Sequence, residues 1–143
     1  MKKVFVIFLA FFAISCLTDD ADIPITEENV ISFTLNGTAY VLTEFNVYLD
    51  PLDSEMRIVE AVFDNDAKRI QFFVIVEETN EIEEFILYEN DVSWISAFGL
   101  GYRNTSITTH TDSAMEGTFT IVMEDRNGVP GNVFTNGIIN IQY

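Results

Sequence analysis

The chain reads as an all-β protein, an antiparallel β-sandwich or partly open barrel of about eight to ten strands. Three observations predict this. Apolar and polar residues alternate at period two in one run after another, as in Ile31, Phe33 and Leu35 against Ser32 and Thr34. The runs recur about every ten residues, and clusters of Asn, Asp, Gly and Pro separate them. Beyond residue 29 no segment sustains the 3.6-residue period of an amphipathic helix.

Residues 1–15 stand apart from the β pattern. Lys2 and Lys3 precede an apolar run from Val4 to Phe12, and the small residues Ala13 and Ser15 follow. This is the layout of a cleaved export signal. The run is too short for a bilayer span, which needs about 20 apolar residues. Cys16, the only cysteine, comes next. Ala13-Ile14-Ser15-Cys16 resembles a bacterial lipobox, with Ala where Leu is usual at its first position. The expectation is a lipoprotein whose mature N-terminus is Cys16 carrying acyl chains such as palmitate. Each buried methylene of such chains contributes about 0.8 kcal/mol to membrane anchoring. Residues 16–29 then form the lipidated cysteine and an acidic tether that contains Pro24 and lacks periodicity.

The β domain occupies residues 30–143. Ile31 to Leu35 makes a first strand, and Asn36-Gly37 is a hairpin turn because both positions tolerate positive φ. Thr38 to Leu49 reads as one long strand with Ala39, Val41, Phe45, Val47 and Leu49 on one face. Asp50 to Ser54 is a loop. Met56 to Phe63 is a strand, Asp64 to Ala67 a turn, and Lys68 to Glu77 a strand apolar on both faces, as a central strand would be. Ile82 to Tyr88 suits a strand or a short helix. Val92 to Arg103 alternates Val92, Trp94, Ser96, Phe98, Leu100 and Tyr102 with smaller residues, and Gly99 and Gly101 mark a bulge or close backbone approach. Thr105 to Thr111 and Gly117 to Glu124 are strands. Asn132 to Thr135, Asn136-Gly137 and Ile138 to Tyr143 read as a closing hairpin with an exposed final strand.

Charge limits the partners. The chain holds 23 acidic against 7 basic residues, a net charge of −16. Cleavage after Ser15 removes Lys2 and Lys3 and deepens that imbalance. A field of this sign repels nucleic acid and anionic lipid. With Cys16 committed to lipid there is no disulfide, so packing alone must stabilise the domain.

Catalytic constellations are sparse. His110 is the only histidine and lies in Thr108-Thr109-His110-Thr111-Asp112, which reads as a solvent-facing strand end without a Gly-x-Ser-x-Gly elbow. No zinc-ligand spacing, phosphate loop or dinucleotide fingerprint is present. Glu77 to Glu84 holds five Glu and reads as a charged solvated turn rather than a glycosidase pair. Asp64-Asn65-Asp66 and the Asp50/Asp53 loop lack the Gly and terminal Glu of a calcium loop, and turn formation accounts for them. No enzyme activity, cofactor or metal site is expected. Trp94, Phe98 and Tyr102 share strand parity and so offer one face to a ligand such as a sugar ring, although aromatics at period two also serve as core.

Met115-Glu116-Gly117-Thr118-Phe119-Thr120, together with Val133 to Tyr143 and the opening Phe33-Thr34-Leu35-Asn36-Gly37, resembles a group of small exported Bacteroidota lipoproteins of unknown function. Those domains carry a Gly-Thr-Phe strand and a C-terminal Thr-Asn-Gly hairpin. The likeness covers both ends of the domain and is thin over residues 50–102. Ile138 departs from it, standing where a polar residue is common. The resemblance implies an exported all-β lipoprotein domain and brings no catalytic residues; the expected location is the outer membrane, lipid-anchored and either periplasmic or surface-exposed. Thr18-Asp19-Asp20-Ala21-Asp22 resembles the acidic surface-export stretch of such proteins, and Asp112-Ser113-Ala114 resembles their O-glycan acceptor, with Ser113 as the modified residue. The expected role is ligand or partner binding at the cell envelope, the partner a glycan or a protein. The alternative is an assembly component that pairs Ile138 to Tyr143 with another subunit by strand addition.

Overall fold

A computed structural model of the chain describes residues 29–125 and 127–143. The export signal, Cys16 and all of the tether except Asn29 lie outside the described residues. The described chain is all-β. Ten strands form one antiparallel sheet: β1 (Val30–Leu35), β2 (Thr38–Leu42), β3 (Asn46–Leu49), β4 (Met56–Phe63), β5 (Lys68–Ile75), β6 (Glu84–Glu89), β7 (Val92–Ser96), β8 (Tyr102–His110), β9 (Ala114–Glu124) and β10 (Pro130–Gln142). Their order is β2-β1-β10-β9-β7-β6-β5-β4-β3, with β8 also paired to β9.

That order forces the sheet to curl. Its two ends, β2 and β3, are consecutive in the chain and joined only by Thr43-Glu44-Phe45. Nine strands side by side in a flat sheet would separate the ends by about 40 Å at about 4.8 Å per strand. A link this short reaches about 14 Å. The sheet therefore bends into a half-barrel whose seam lies between β2 and β3. Tyr40 of β2 reaches across the seam to Phe63 of β4, ring centroids 4.9 Å apart and edge to face.

The seam corrects the expectation of one strand over Thr38 to Leu49. The hydrophobic phase slips between its halves. Tyr40 and Leu42 point inward in β2, while Val41 is 61% exposed. Phe45 and Val47 pack against the core after the link. A continuous strand cannot keep both sets on one face, because period two would turn one of them to solvent. The chain leaves β1 at Thr43 and joins β4 instead.

The expected closing hairpin is a single bent strand. β10 pairs with β9 from Pro130 to Gln142, and one extra β10 residue enters between Phe134 and Gly137. Asn136, at φ 52°, is the left-handed residue of this bulge. The positive-φ tolerance of Asn-Gly serves a bulge as well as a turn. Nor is the final strand exposed: Ile138 to Asn140 have β9 on one side and β1 on the other.

Inside the curl the core is aromatic. Phe134 packs 5.1 Å from Phe33 and 5.0 Å from Phe85, which in turn stacks on Phe72 at 5.7 Å. These rings belong to β10, β1, β6 and β5, so one cluster joins the two halves of the sheet order. β5 has β4 and β6 on its two edges, with Ile70, Phe72 and Val74 fully buried on its inner face. Gly137 lets Phe119 lie flat on β10, since an added Cβ there would meet the ring at 2.5 Å.

Candidate functional site

The run Val92 to Arg103 is two strands interrupted by a loop. β7 and β8 lie end to end along one edge of β9, through the pairs Ile95↔Glu124 and Tyr102↔Val122. Between them the chain leaves the sheet and returns. Ala97 and Leu100 exchange both backbone hydrogen bonds, at 3.1 and 3.0 Å. Gly99 (φ +78°) makes the tip and Gly101 (φ +64°) the return. A side chain on Gly101 would collide with the Val122 carbonyl, so only glycine brings the chain back onto β9. Ser96, fully buried, donates its hydroxyl to the Tyr102 carbonyl at 3.4 Å and ties the two ends of the loop together.

This loop redistributes the three aromatics expected to share a face. Trp94 remains in β7, opposite the buried Leu87, and packs against the core with its ring over Gly131 of β10. It is half-buried against the core. Phe98 stands at the loop tip and is 99% exposed, and Tyr102 at the start of β8 is 57% exposed. Phe98 and Tyr102 share a groove of about 390 Å³ with Glu81, Ile82, Arg103 and Asn104.

The far wall of the groove is the acidic segment after β5, which is a strap rather than a free turn. Asn80 N–H donates to the Ile107 carbonyl at 2.9 Å, and Ile107 N–H donates back to Asn80 at 3.4 Å. Ile82 N–H donates to Thr105 Oγ1 at 3.1 Å, and that hydroxyl donates to the Asn80 carbonyl at 3.2 Å. Ile82 is 1% exposed. The strap covers the β8 edge that faces away from β9, while Glu77, Glu78 and Glu81 are exposed and Glu83 is half-buried.

His110 differs from the sequence expectation. It is 7% exposed, and its Nδ1 lies 3.1 Å from the Glu78 carbonyl of the strap. A carbonyl only accepts, so Nδ1 carries the hydrogen. Nε2 is buried without a hydrogen-bond partner. Burial holds the imidazole pKa below its ordinary value, with the Arg57 charge acting the same way, while the Glu78 and Ile75 carbonyls and the Glu77 charge oppose them. The residues described provide no hydroxyl to Nε2, and a Ser-His-Asp relay requires one there.

Nothing local in the sequence marks Arg57. In the structure it is 6% exposed. Its Nη1 donates to the Thr111 carbonyl at 2.6 Å and to the Tyr143 hydroxyl, and its guanidinium lies 4.7 Å from the Tyr143 ring centroid. Burial raises the Tyr143 pKa, and the Arg57 hydrogen bond opposes the rise. Asp112, 3.7 Å from Nη2, is 88% exposed. This end of the half-barrel is a structural lock, with charge met by carbonyl and phenol.

Ser113 occupies the exposed turn between β8 and β9, where its N–H donates to Thr111 Oγ1 at 3.3 Å. The Asp50 and Asp53 carboxylates accept from the Leu52 and Glu55 amides at 2.8 and 3.0 Å, which is turn chemistry. A larger groove, about 590 Å³, opens near the seam and is lined by Glu44, Phe45, Glu60, Asp66 and Tyr143 among others. What singles out the smaller groove is Phe98, held in solvent where burial would be worth about 1.5–3 kcal/mol. Comparison with protein-family models, curated proteins and solved structures gives no match.

Proposed function

We propose that the protein is an outer-membrane lipoprotein, anchored through acyl chains on Cys16, whose half-barrel binds a ligand at the groove beneath Phe98 without catalysing a reaction. The observation that carries the binding reading is the loop itself. An aromatic ring 99% exposed on a glycine-hinged tip, tied at its base by paired backbone bonds, supports reading it as a pre-organised contact. Tyr102 and Arg103 supply a second ring and a cation beside it. The net charge of −16 favours neutral or cationic ligands and disfavours nucleic acid. The membrane is the partner of Cys16, and Ser113 in its exposed turn is the proposed O-glycan acceptor.

Pairing of Ile138 to Asn140 with both β1 and β9 favours the binding reading over the alternative of assembly through the final strand. Two experiments test the proposal. Cys16→Ser should move the protein from the membrane fraction to the soluble fraction, and retention in the membrane contradicts the anchor. Full-length protein should be probed with a printed saccharide panel and a displayed peptide library. The Phe98→Ala/Tyr102→Ala variant should lose whatever the unaltered protein retains. Equal retention by both refutes the groove as the binding element.

A further inference from the structure

We propose that the outer face of β8 and β9, continuing from the groove, is a docking strip for a neutral, extended polysaccharide chain. This names the ligand class of the proposed binding function and rests on that reading.

The register builds the strip. Tyr102, Asn104 and Ser106 of β8 stand opposite Val122, Thr120 and Thr118 of β9. The alternate residues Thr105 and Ile107 lie opposite Phe119 and Gly117, on the face that carries the core. Asn104, Ser106 and Thr118 are exposed and Thr120 is half-buried. Pairing sets the Asn104 amide beside the Thr120 hydroxyl and the Ser106 hydroxyl beside that of Thr118. None of these four side chains has a hydrogen-bond partner among the described residues. Their donors and acceptors are uncommitted and side by side.

The chemistry of the strip selects the ligand. Between Tyr102 and Ser106, and across to Thr118 and Thr120, no outward side chain is charged, in a chain with 23 acidic residues. Paired amide and hydroxyl groups match the vicinal hydroxyls of a sugar, each of which both donates and accepts. Phe98 and Tyr102 at one end supply faces for the apolar side of a pyranose ring. From Tyr102 to Ser106 the strand rises about 13 Å at about 3.3 Å per residue, which suits several linked rings better than one. The net charge of −16 repels polyanions. A protein partner is disfavoured because a stable interface needs about 800 Å² per side around an apolar centre, and this strip has apolar groups at one end only.

The test is native affinity electrophoresis of the full chain in detergent micelles, through gels cast with neutral polysaccharides (glucan, mannan, galactomannan) or with polyanionic alginate. At least one neutral polymer should retard the protein and alginate should not. Asn104→Ala/Thr120→Ala should weaken retardation about three- to tenfold for each hydrogen-bonding pair lost. Val41→Ala, an exposed apolar residue on β2, should change nothing. Retardation by alginate alone, by no neutral polymer, or unchanged in the Asn104/Thr120 variant overturns the proposal. Phe98-dependent capture of a peptide, without polysaccharide binding, overturns the strip and leaves the groove standing. Polysaccharide binding indifferent to Phe98 and Tyr102 but lost with Asn104 and Thr120 overturns the groove and leaves the strip.

Discussion

Replacing Gly137 by Ala adds one methyl group, and the structure says where it goes. The new Cβ would lie 2.5 Å from Cγ and Cδ2 of Phe119. Carbon atoms at rest stand about 3.5–4.0 Å apart, so the ring must retreat by about 1 Å. It has little room, because Phe119 is 2% exposed and has Phe85 at 5.4 Å, Phe33 at 6.3 Å and Phe134 at 6.5 Å. Overpacking of this kind costs about 1–3 kcal/mol. The stiffer unfolded chain returns about 0.4–1 kcal/mol, leaving an expected net loss of about 1–2 kcal/mol. Urea unfolding followed by fluorescence measures it, since Trp94 is the only tryptophan and its ring seats on Gly131 of the same strand. Phe119→Leu removes the ring that the methyl strikes. On that background Gly137→Ala should be nearly neutral, a coupling of about 1 kcal/mol or more. A neutral Gly137→Ala, or an equal cost in both backgrounds, refutes the packing of Phe119 on the β10 bulge.

His110 makes stability depend on pH in a defined direction. Its folded pKa lies below 6.5, so the unfolded chain binds the proton more tightly. Its contribution is fully present above pH 6.5 and is lost as pH falls through the folded value, at up to about 1.4 kcal/mol per pH unit. As the only histidine, it can be titrated by proton NMR without ambiguity; a folded pKa at or above 6.5 would contradict burial of the ring with Nε2 unpartnered. His110→Asn keeps a donor toward Glu78 and should flatten the dependence of the urea midpoint between pH 7.5 and 5. At the same end, Arg57→Ala should cost about 1.5–3 kcal/mol because it removes charge-assisted bonds to Thr111 and Tyr143. Asp112→Ala should cost under about 1 kcal/mol, since that carboxylate is 88% exposed. Equal losses in thermal unfolding would show that the ion pair, not the carbonyl and phenol, holds Arg57.

The sequence carried much of the fold because local chemistry and pairing agreed over long stretches. Asn36 and Gly37 form the predicted two-residue turn at φ 49° and 87°, and Met56–Phe63 is a strand with the predicted bounds. The failures occurred where one local signal serves two structures. Asn136-Gly137 supplies positive φ to a bulge as readily as to a turn, and only the straight run of β9 beside β10 decides between them. Val92 to Arg103 keeps period two in sequence across a loop that inverts its phase, so that Trp94 of β7 packs against the core while Tyr102, of the same parity, stands on the outer face of β8. His110 looked polar in context, yet the strap that buries it arrives from 32 residues away, which no local window contains. The candidate site was legible in part. Aromatic parity points to Phe98 and Tyr102, but Trp94 keeps that parity facing the core. Glu81 and Ile82 complete the groove only through the strap, and Arg57 enters the opposite end only through tertiary pairing.

The proposed binding function requires that Phe98 contribute to a ligand contact and not to folding. The direct measurement pairs urea unfolding with affinity electrophoresis, in gels containing the most retarding neutral polysaccharide, for Phe98→Ala and the exposed-apolar control Val41→Ala. Unfolding midpoints should stay close to that of the unaltered protein for both, since both side chains lie largely in water, at 99% and 61% exposure. Binding should fall about tenfold or more for Phe98→Ala, about 1.4 kcal/mol, and not at all for Val41→Ala. Equal binding by the two variants, or a Phe98→Ala protein that has lost stability, would contradict that function.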